Sequence, residues 1–170
     1  MDEDKKIRVM FVCLGNICRS PLAEAAFRKE VAEAGLEEVF DVKSSGTGHW
    51  HVGGQADQRM RETACKFGLS LEAHRAQQFL AGHIADFDHV LVMDKSNLHD
   101  VLFLDRKEKH GTKVRLFREF DPDPGDFQVP DPYYGGPQGF DAVCQIVQRT
   151  AQRLLECLID EYELDTTKQV

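Results

Sequence analysis

No stretch of this sequence approaches the ~20 consecutive apolar residues that a membrane-spanning helix needs, and the opening "MDEDKKIRV" lacks the apolar core of a secretory signal. A cytoplasmic protein without membrane insertion is expected. Basic residues are in deficit, 21 Lys and Arg against 29 Asp and Glu for a net charge of −8, which argues against broad capture of nucleic acid or an anionic membrane. An anionic ligand would therefore have to meet a local positive site. The cysteines, Cys13, Cys18, Cys65, Cys144 and Cys157, are odd in number and irregularly spaced. They form no disulfide framework of the secreted kind and should be mostly free thiols. Cys13 and Cys18 have no matching second pair for a structural zinc, with His49 and His51 on another loop, and no Gly-Lys-Ser/Thr run supplies a Walker loop. Internal repeats and low-complexity tracts are missing too.

What remains is a chain of 170 residues with 42% hydrophobic content, enough for one substantial core. The expectation is a single domain over 1–170 with an ordered core over about 6–163. Ile7 to Val12 (IRVMFV) reads as a buried strand. A helix follows from Pro21 with apolar positions at Ala23, Ala26, Phe27, Val31 and Ala34, stopped by Gly35. The alternation continues with a strand over Phe40 to Ser44 and a helix from about Asp57 to Phe67, closed by Gly68. Then come a strand over His89 to Met93, a short helix over Ser96 to Phe103 and a strand over Lys113 to Phe117. Arg118 to Gln138, rich in Pro, Gly and Asp, reads as a long surface loop of the functional kind. The last helix, Gly139 to about Glu163, carries one apolar stripe of Phe140, Val143, Cys144, Val147, Ala151, Leu154, Leu155, Leu158 and Tyr162. Such alternation implies an α/β fold, Rossmann-like or flavodoxin-like, with a parallel sheet, helices on both faces and ligands bound outside the carboxyl ends of the strands.

The stretch "VCLGNICRSP" occupies such an end. Backbone N–H groups from Leu14 to Arg19 can curl into a nest for an anion. Gly15 tolerates the angles of that curl, and the following helix aims its positive end into it. Arg19 adds a planar fork of donors that grips two phosphate oxygens. Cys13 stands at the lip, where a helix terminus and a cation favour the nucleophilic thiolate. The parts describe attack on phosphorus through a phosphocysteine intermediate. Cys-x5-Arg spacing alone arises by chance, and Cys after a strand is often a small core residue. The intervening Gly, Asn and Ile, the Ser-Pro that follows, and the strand-to-helix setting make the motif specific. Ser20 also reads as an N-cap before Pro21, and Asn16 as a turn former.

"CLGNICRSP", "SSGTGHWHVG", "VLVMDKSN" and "VPDPYYGG", in that order, resemble the low molecular weight protein tyrosine phosphatases over nearly the whole chain. That resemblance implies a four-stranded parallel α/β fold, cysteine-dependent phosphatase activity on tyrosine-phosphorylated proteins and small aryl phosphates, and no metal or organic cofactor. By it, Cys13 is the nucleophile and Arg19 the phosphate ligand, within a loop of Leu14, Gly15, Asn16, Ile17, Cys18 and Ser20. Asn16 and Ser20 steady the thiolate, Ser45 and His74 support the loop, and Cys18 is the partner that traps oxidised Cys13 as a disulfide. Gln77 stands near a position where an arginine is more usual in the family.

A phosphoester leaving group needs a proton, and three Asp-Pro pairs compete to supply it: Asp121-Pro122, Asp123-Pro124 and Asp131-Pro132. Asp131 is preferred because Tyr133 and Tyr134 follow with aromatic surface for a flat substrate, and the family resemblance selects the same residue. Trp50, the only tryptophan, lies in a glycine-rich loop and reads as a facing wall of the pocket. Rivals on the same fold are a thioredoxin-coupled arsenate reductase, which would need more cysteines than Cys65 after the second helix, and a phosphoarginine phosphatase, against which Ile17 and the paired tyrosines speak. A non-catalytic phosphotyrosine-binding module should have lost the nucleophile or the acid.

Overall fold

Four strands, β1 (Ile7–Cys13), β2 (Phe40–Gly46), β3 (His89–Val92) and β4 (Val114–Leu116), pair in parallel in the order β2-β1-β3-β4 in the computed structural model, which describes residues 5–105, 112–133 and 135–166. Five α-helices connect and flank them: α1 (Arg19–Glu33), α2 (Gln58–Lys66), α3 (Ala81–Asp86), α4 (Lys95–Leu104) and α5 (Pro137–Glu161). β1 is apolar throughout its second half because both faces of the sheet are covered. Val9, Phe11 and Cys13 share a core with α1, α2 and α5, while Met10 and Val12 share a second core with α3 and α4. Phe11 is the centre of the first, its ring edge-on to Phe27 at 5.7 Å and Phe117 at 5.3 Å between centroids. The sheet order reverses direction beside β1 and β3, so their carboxyl ends open a crevice at the switch point of the topology.

Several boundaries differ from the sequence reading. α1 starts at Arg19, with Cys18 as its N-cap and no side-chain cap bond, so Ser20 lies inside the first turn and is not the cap. β2 runs on to Gly46, because the two serines that seemed to end it are buried and bonded to the loop after β1. α3 was not foreseen: six residues give too short a run for helical periodicity to register. β4 stops at Leu116, and Phe117–Phe120 winds into a short 3-10 turn that drops Phe117 into the core. The long loop is therefore shorter than Arg118 to Gln138, since α5 begins at Pro137. Tyr162 is not part of the buried stripe of α5; it follows the helix and its hydroxyl meets His89 Nε2 at 2.8 Å.

Candidate active site

The loop after β1 closes on Cys13. Its Sγ lies 3.0 Å from Ser20 Oγ and receives the Asn16 N–H at 3.3 Å, so a hydroxyl and a backbone donor converge on a buried sulfur. Ser20 Oγ also accepts from Asn16 Nδ2 at 2.8 Å and can instead give its one proton to Ser45 O at 3.3 Å. A charged sulfur is the better acceptor for that proton.

Asn16, fully buried, organises the loop through every polar atom it has. Nδ2 donates to Ser20 and, at 3.0 Å, to Ser44 Oγ; Oδ1 accepts the Gln77 N–H at 2.9 Å; its carbonyl accepts from His74 Nε2 at 2.7 Å. The left-handed residue of the loop is Asn16 (φ 57°), whereas Gly15 was the residue expected to supply that freedom. Asparagine enters this region more readily than most side chains. Gly15 instead leaves room for His51, whose Cδ2 would stand 3.1 Å from an added Cβ. Ser45 contributes its carbonyl, while its hydroxyl turns to Met10 Sδ at 3.3 Å. Gln77, near which an arginine was expected, donates through Nε2 to Ser44 O on β2 at 2.9 Å, while its N–H holds the loop at Asn16 Oδ1.

Arg19 is the buried cation of the site, its side chain 4% exposed. Nη1 donates to Asp94 Oδ2 at 2.7 Å and to Val129 O at 3.0 Å, and Nη2 lies 3.5 Å from Asp131 Oδ2. Burial alone would lower its pKa, but Cys13, Asp94 and Asp131 outweigh burial and raise it. Burial pushes the Cys18 thiol in the opposite sense, well above its ordinary value, with Asp57 adding to the effect, so Cys18 stays protonated.

Of the three Asp-Pro pairs, only Asp131 lines the crevice among the described residues. Its Oδ1 accepts the Tyr133 N–H at 3.0 Å, leaving Oδ2 toward Arg19. Asp121 has a fully buried side chain gripped by Arg149 at 2.8 and 3.0 Å and Arg118 at 2.9 Å. Asp123 lends its carbonyl to the same two arginines.

The crevice encloses about 250 Å³. Cys13, Leu14, Gly15, Ile17, Cys18 and Arg19 form its floor, and Trp50, His51, Asp131 and Tyr133 its rim. Trp50 is 66% exposed and stacked on His49 at 5.8 Å, the posture of a wall awaiting a ligand more than of a core residue. Tyr134 lies outside the described residues.

Sequence reasoning passed over Asp94, Ser44, His51 and Gly46. Asp94 had a signal, an acidic residue one step past a buried strand whose carboxyl end borders the crevice. Gly46 had none, because its role is contact: a Cβ there would sit 2.7 Å from Leu14 O and 3.0 Å from Asn16 N. β2 can approach the loop closely only with a glycine at that point.

A family model described as low molecular weight phosphotyrosine protein phosphatase matches residues 8–165. The low molecular weight protein-tyrosine-phosphatase of Streptomyces coelicolor is 42% identical over 158 residues, 92% of this chain and 96% of that protein. Among solved structures, a protein tyrosine phosphatase from Entamoeba histolytica with Hepes in its active site superposes with a TM-score of 0.86 at 35% identity, covering 94% of this chain and all of the other. A Drosophila arginine phosphatase superposes at 0.81 and 29% identity, over 92% of this chain and 98% of that one.

Proposed function

The chain belongs to the low molecular weight phosphotyrosine protein phosphatase family, and from that premise we propose that Cys13, Arg19 and Asp131 hydrolyse phosphotyrosine in proteins and small aryl phosphates. The observation that carries the reading is convergence: a sulfur bonded to a backbone N–H and a hydroxyl, a buried guanidinium and a carboxylate from a distant loop meet in one crevice. The N–H groups from Leu14 to Arg19 and the α1 terminus hold the phosphate dianion, and Arg19 grips its oxygens with the Nη2 that faces Asp131 Oδ2 in the free protein. Cys13 Sγ attacks phosphorus opposite the ester oxygen, the P–O bond breaks, and Asp131, acting in its protonated form, gives the leaving phenolate its proton. Asp131, now a carboxylate, then takes a proton from water as that water attacks phosphorus. The P–S bond breaks and the thiolate returns to the donors of Ser20 and Asn16. Asp94 holds Arg19 in register throughout.

Trp50 and Tyr133 flank an aromatic leaving group, and Ile17 adds an apolar floor. Ser45 and His74 support the loop, and the chain works as one folding unit in a reducing compartment such as the cytoplasm, which suits its free thiols. No helix among the described residues is long and apolar enough to cross a membrane. The likeness to the Drosophila arginine phosphatase favours a second reading, phosphoarginine as substrate. Turnover of a phosphotyrosine peptide, para-nitrophenyl phosphate and phosphoarginine, with Cys13→Ser as the blank, tests both. The proposal expects the two aryl esters to be strongly preferred. A higher kcat/KM for phosphoarginine would transfer the assignment to the second reading, and no turnover of any would sink both.

A further inference from the structure

Arg59 sits on the first turn of α2, outside the lining of the crevice. We infer that it is a positioning residue for the general acid, acting through the main chain of Tyr133; this rests on the reading of Asp131 as that acid. The connection is continuous. The Asp57 N–H donates to Ile17 O at 2.8 Å, which ties the start of α2 to the phosphate loop. The Asp57 carboxylate caps α2 through the N–H groups of Arg59 at 2.8 Å and Met60 at 3.2 Å, and the same carboxylate takes the Arg59 guanidinium at two contacts of 3.3 Å. Arg59 Nη2 then reaches across to Tyr133 O at 3.0 Å. The Tyr133 N–H donates to Asp131 Oδ1, and that bond leaves Oδ2 facing Arg19. The guanidinium also lies 4.8 Å from the ring centroid of Phe140, which is buried in α5, and 5.4 Å from that of Tyr133.

Arg59 therefore joins the loop that holds the phosphate to the turn that carries the acid, using a planar fork for one purpose and its face for another. Its side chain is 49% exposed, and exposed ion pairs add little to stability. A purely structural role would thus predict almost no effect of removing it. A positioning role predicts a specific one, since a proton donor displaced by a fraction of an ångström fails most where the leaving group needs the proton most.

The test is kcat/KM across phosphate monoesters of rising leaving-group pKa, from nitrophenyl to phenyl and alkyl esters, for Arg59→Met, Arg59→Lys, Asp131→Asn and the Arg59→Met/Asp131→Asn pair. Arg59→Met should lose about twofold on nitrophenyl and roughly tenfold on phenyl phosphate, steepening the dependence, with the melting temperature held and Arg59→Lys partly restoring the slope. In the Asp131→Asn background, Arg59→Met should add nothing, because both act on one proton transfer. An Arg59→Met slope like that of the wild type, an equal loss across all leaving groups, or a further loss in the double variant would each overturn the inference. If Asp131→Asn itself leaves the slope unchanged, the assignment of the acid fails instead, and the two failures are told apart within one data set.

Discussion

Replacing Arg19 by lysine keeps the charge and removes the geometry, which makes it the sharpest probe of what the buried guanidinium contributes. In the free protein Arg19 spends Nη1 on Asp94 and Val129 O and keeps Nη2 near Asp131, so its fork faces the crevice with its orientation already set. A lysine ammonium can satisfy Asp94 or reach a phosphate oxygen, but it cannot present two parallel donors to the transferring group. Loss of one transition-state donor in a water-excluded site costs about 2.7–4 kcal/mol, roughly a hundredfold to a thousandfold in kcat. Stability should change far less. Asp94 keeps a cationic partner, so the cost of about 3–5 kcal/mol for stranding a buried charge is avoided. Steady-state kinetics on para-nitrophenyl phosphate, inhibition by inorganic phosphate and thermal unfolding together separate the effects. A turnover within about tenfold of the wild type would refute the reasoning, because it would mean that the backbone nest alone carries the transition-state charge.

Asp121→Asn should lower stability by about 3 kcal/mol, at the low end for a broken buried pair because Arg149 reaches solvent, and the melting temperature by roughly 6–12 °C, without changing the leaving-group dependence of kcat/KM. Its carboxylate also sets a pH window. Burial would raise its pKa, but Arg149 and Arg118 hold it below the ordinary range, so its contribution is complete above about pH 4 and is lost as pH falls through the depressed folded value. Acid unfolding followed by circular dichroism should therefore be less steep below about pH 4 in Asp121→Asn; identical profiles would refute this. Peroxide should inactivate the enzyme reversibly, with a Cys13–Cys18 peptide crosslink in the oxidised protein, and Cys18→Ser should preserve turnover but make the loss less recoverable. Sulfinic or sulfonic Cys13 beside free Cys18 in the wild type would end that idea.

The four strands and their parallel direction were legible in the sequence because buried strands and helical stripes have different periods, and Ile7 to Val12 and the α5 stripe show theirs plainly; the order β2-β1-β3-β4 came only with the fold. The centre of the crevice was legible for another reason: Cys13 and Arg19 stand on one short turn, where sequence proximity is spatial proximity. What stayed hidden depends on approach between distant segments. Asp94 and Arg19 are 75 residues apart, Arg59 and Tyr133 are 74 apart, and only the folded sheet brings each pair together. Asp121 could not be told from Asp131 by dipeptide, since burial between two arginines distinguishes them. Asn16 in place of Gly15 as the left-handed residue is the finest case: the loop needs the asparagine side chain for three partners and its carbonyl for a fourth, and the backbone strain is accepted at the residue that is held best.

The central claim is that the phosphoryl group passes through Cys13. Rapid acid quench of the enzyme during turnover of an aryl phosphate, followed by peptide mass spectrometry, observes that species directly. The account predicts phosphate covalently attached to the Cys13 peptide within the first turnover, its accumulation when Asp131→Asn slows hydrolysis of the intermediate, and its complete absence in a Cys13→Ser protein that still binds inorganic phosphate. Undiminished hydrolysis by Cys13→Ser, or a phosphorylated peptide that does not contain Cys13, would contradict it.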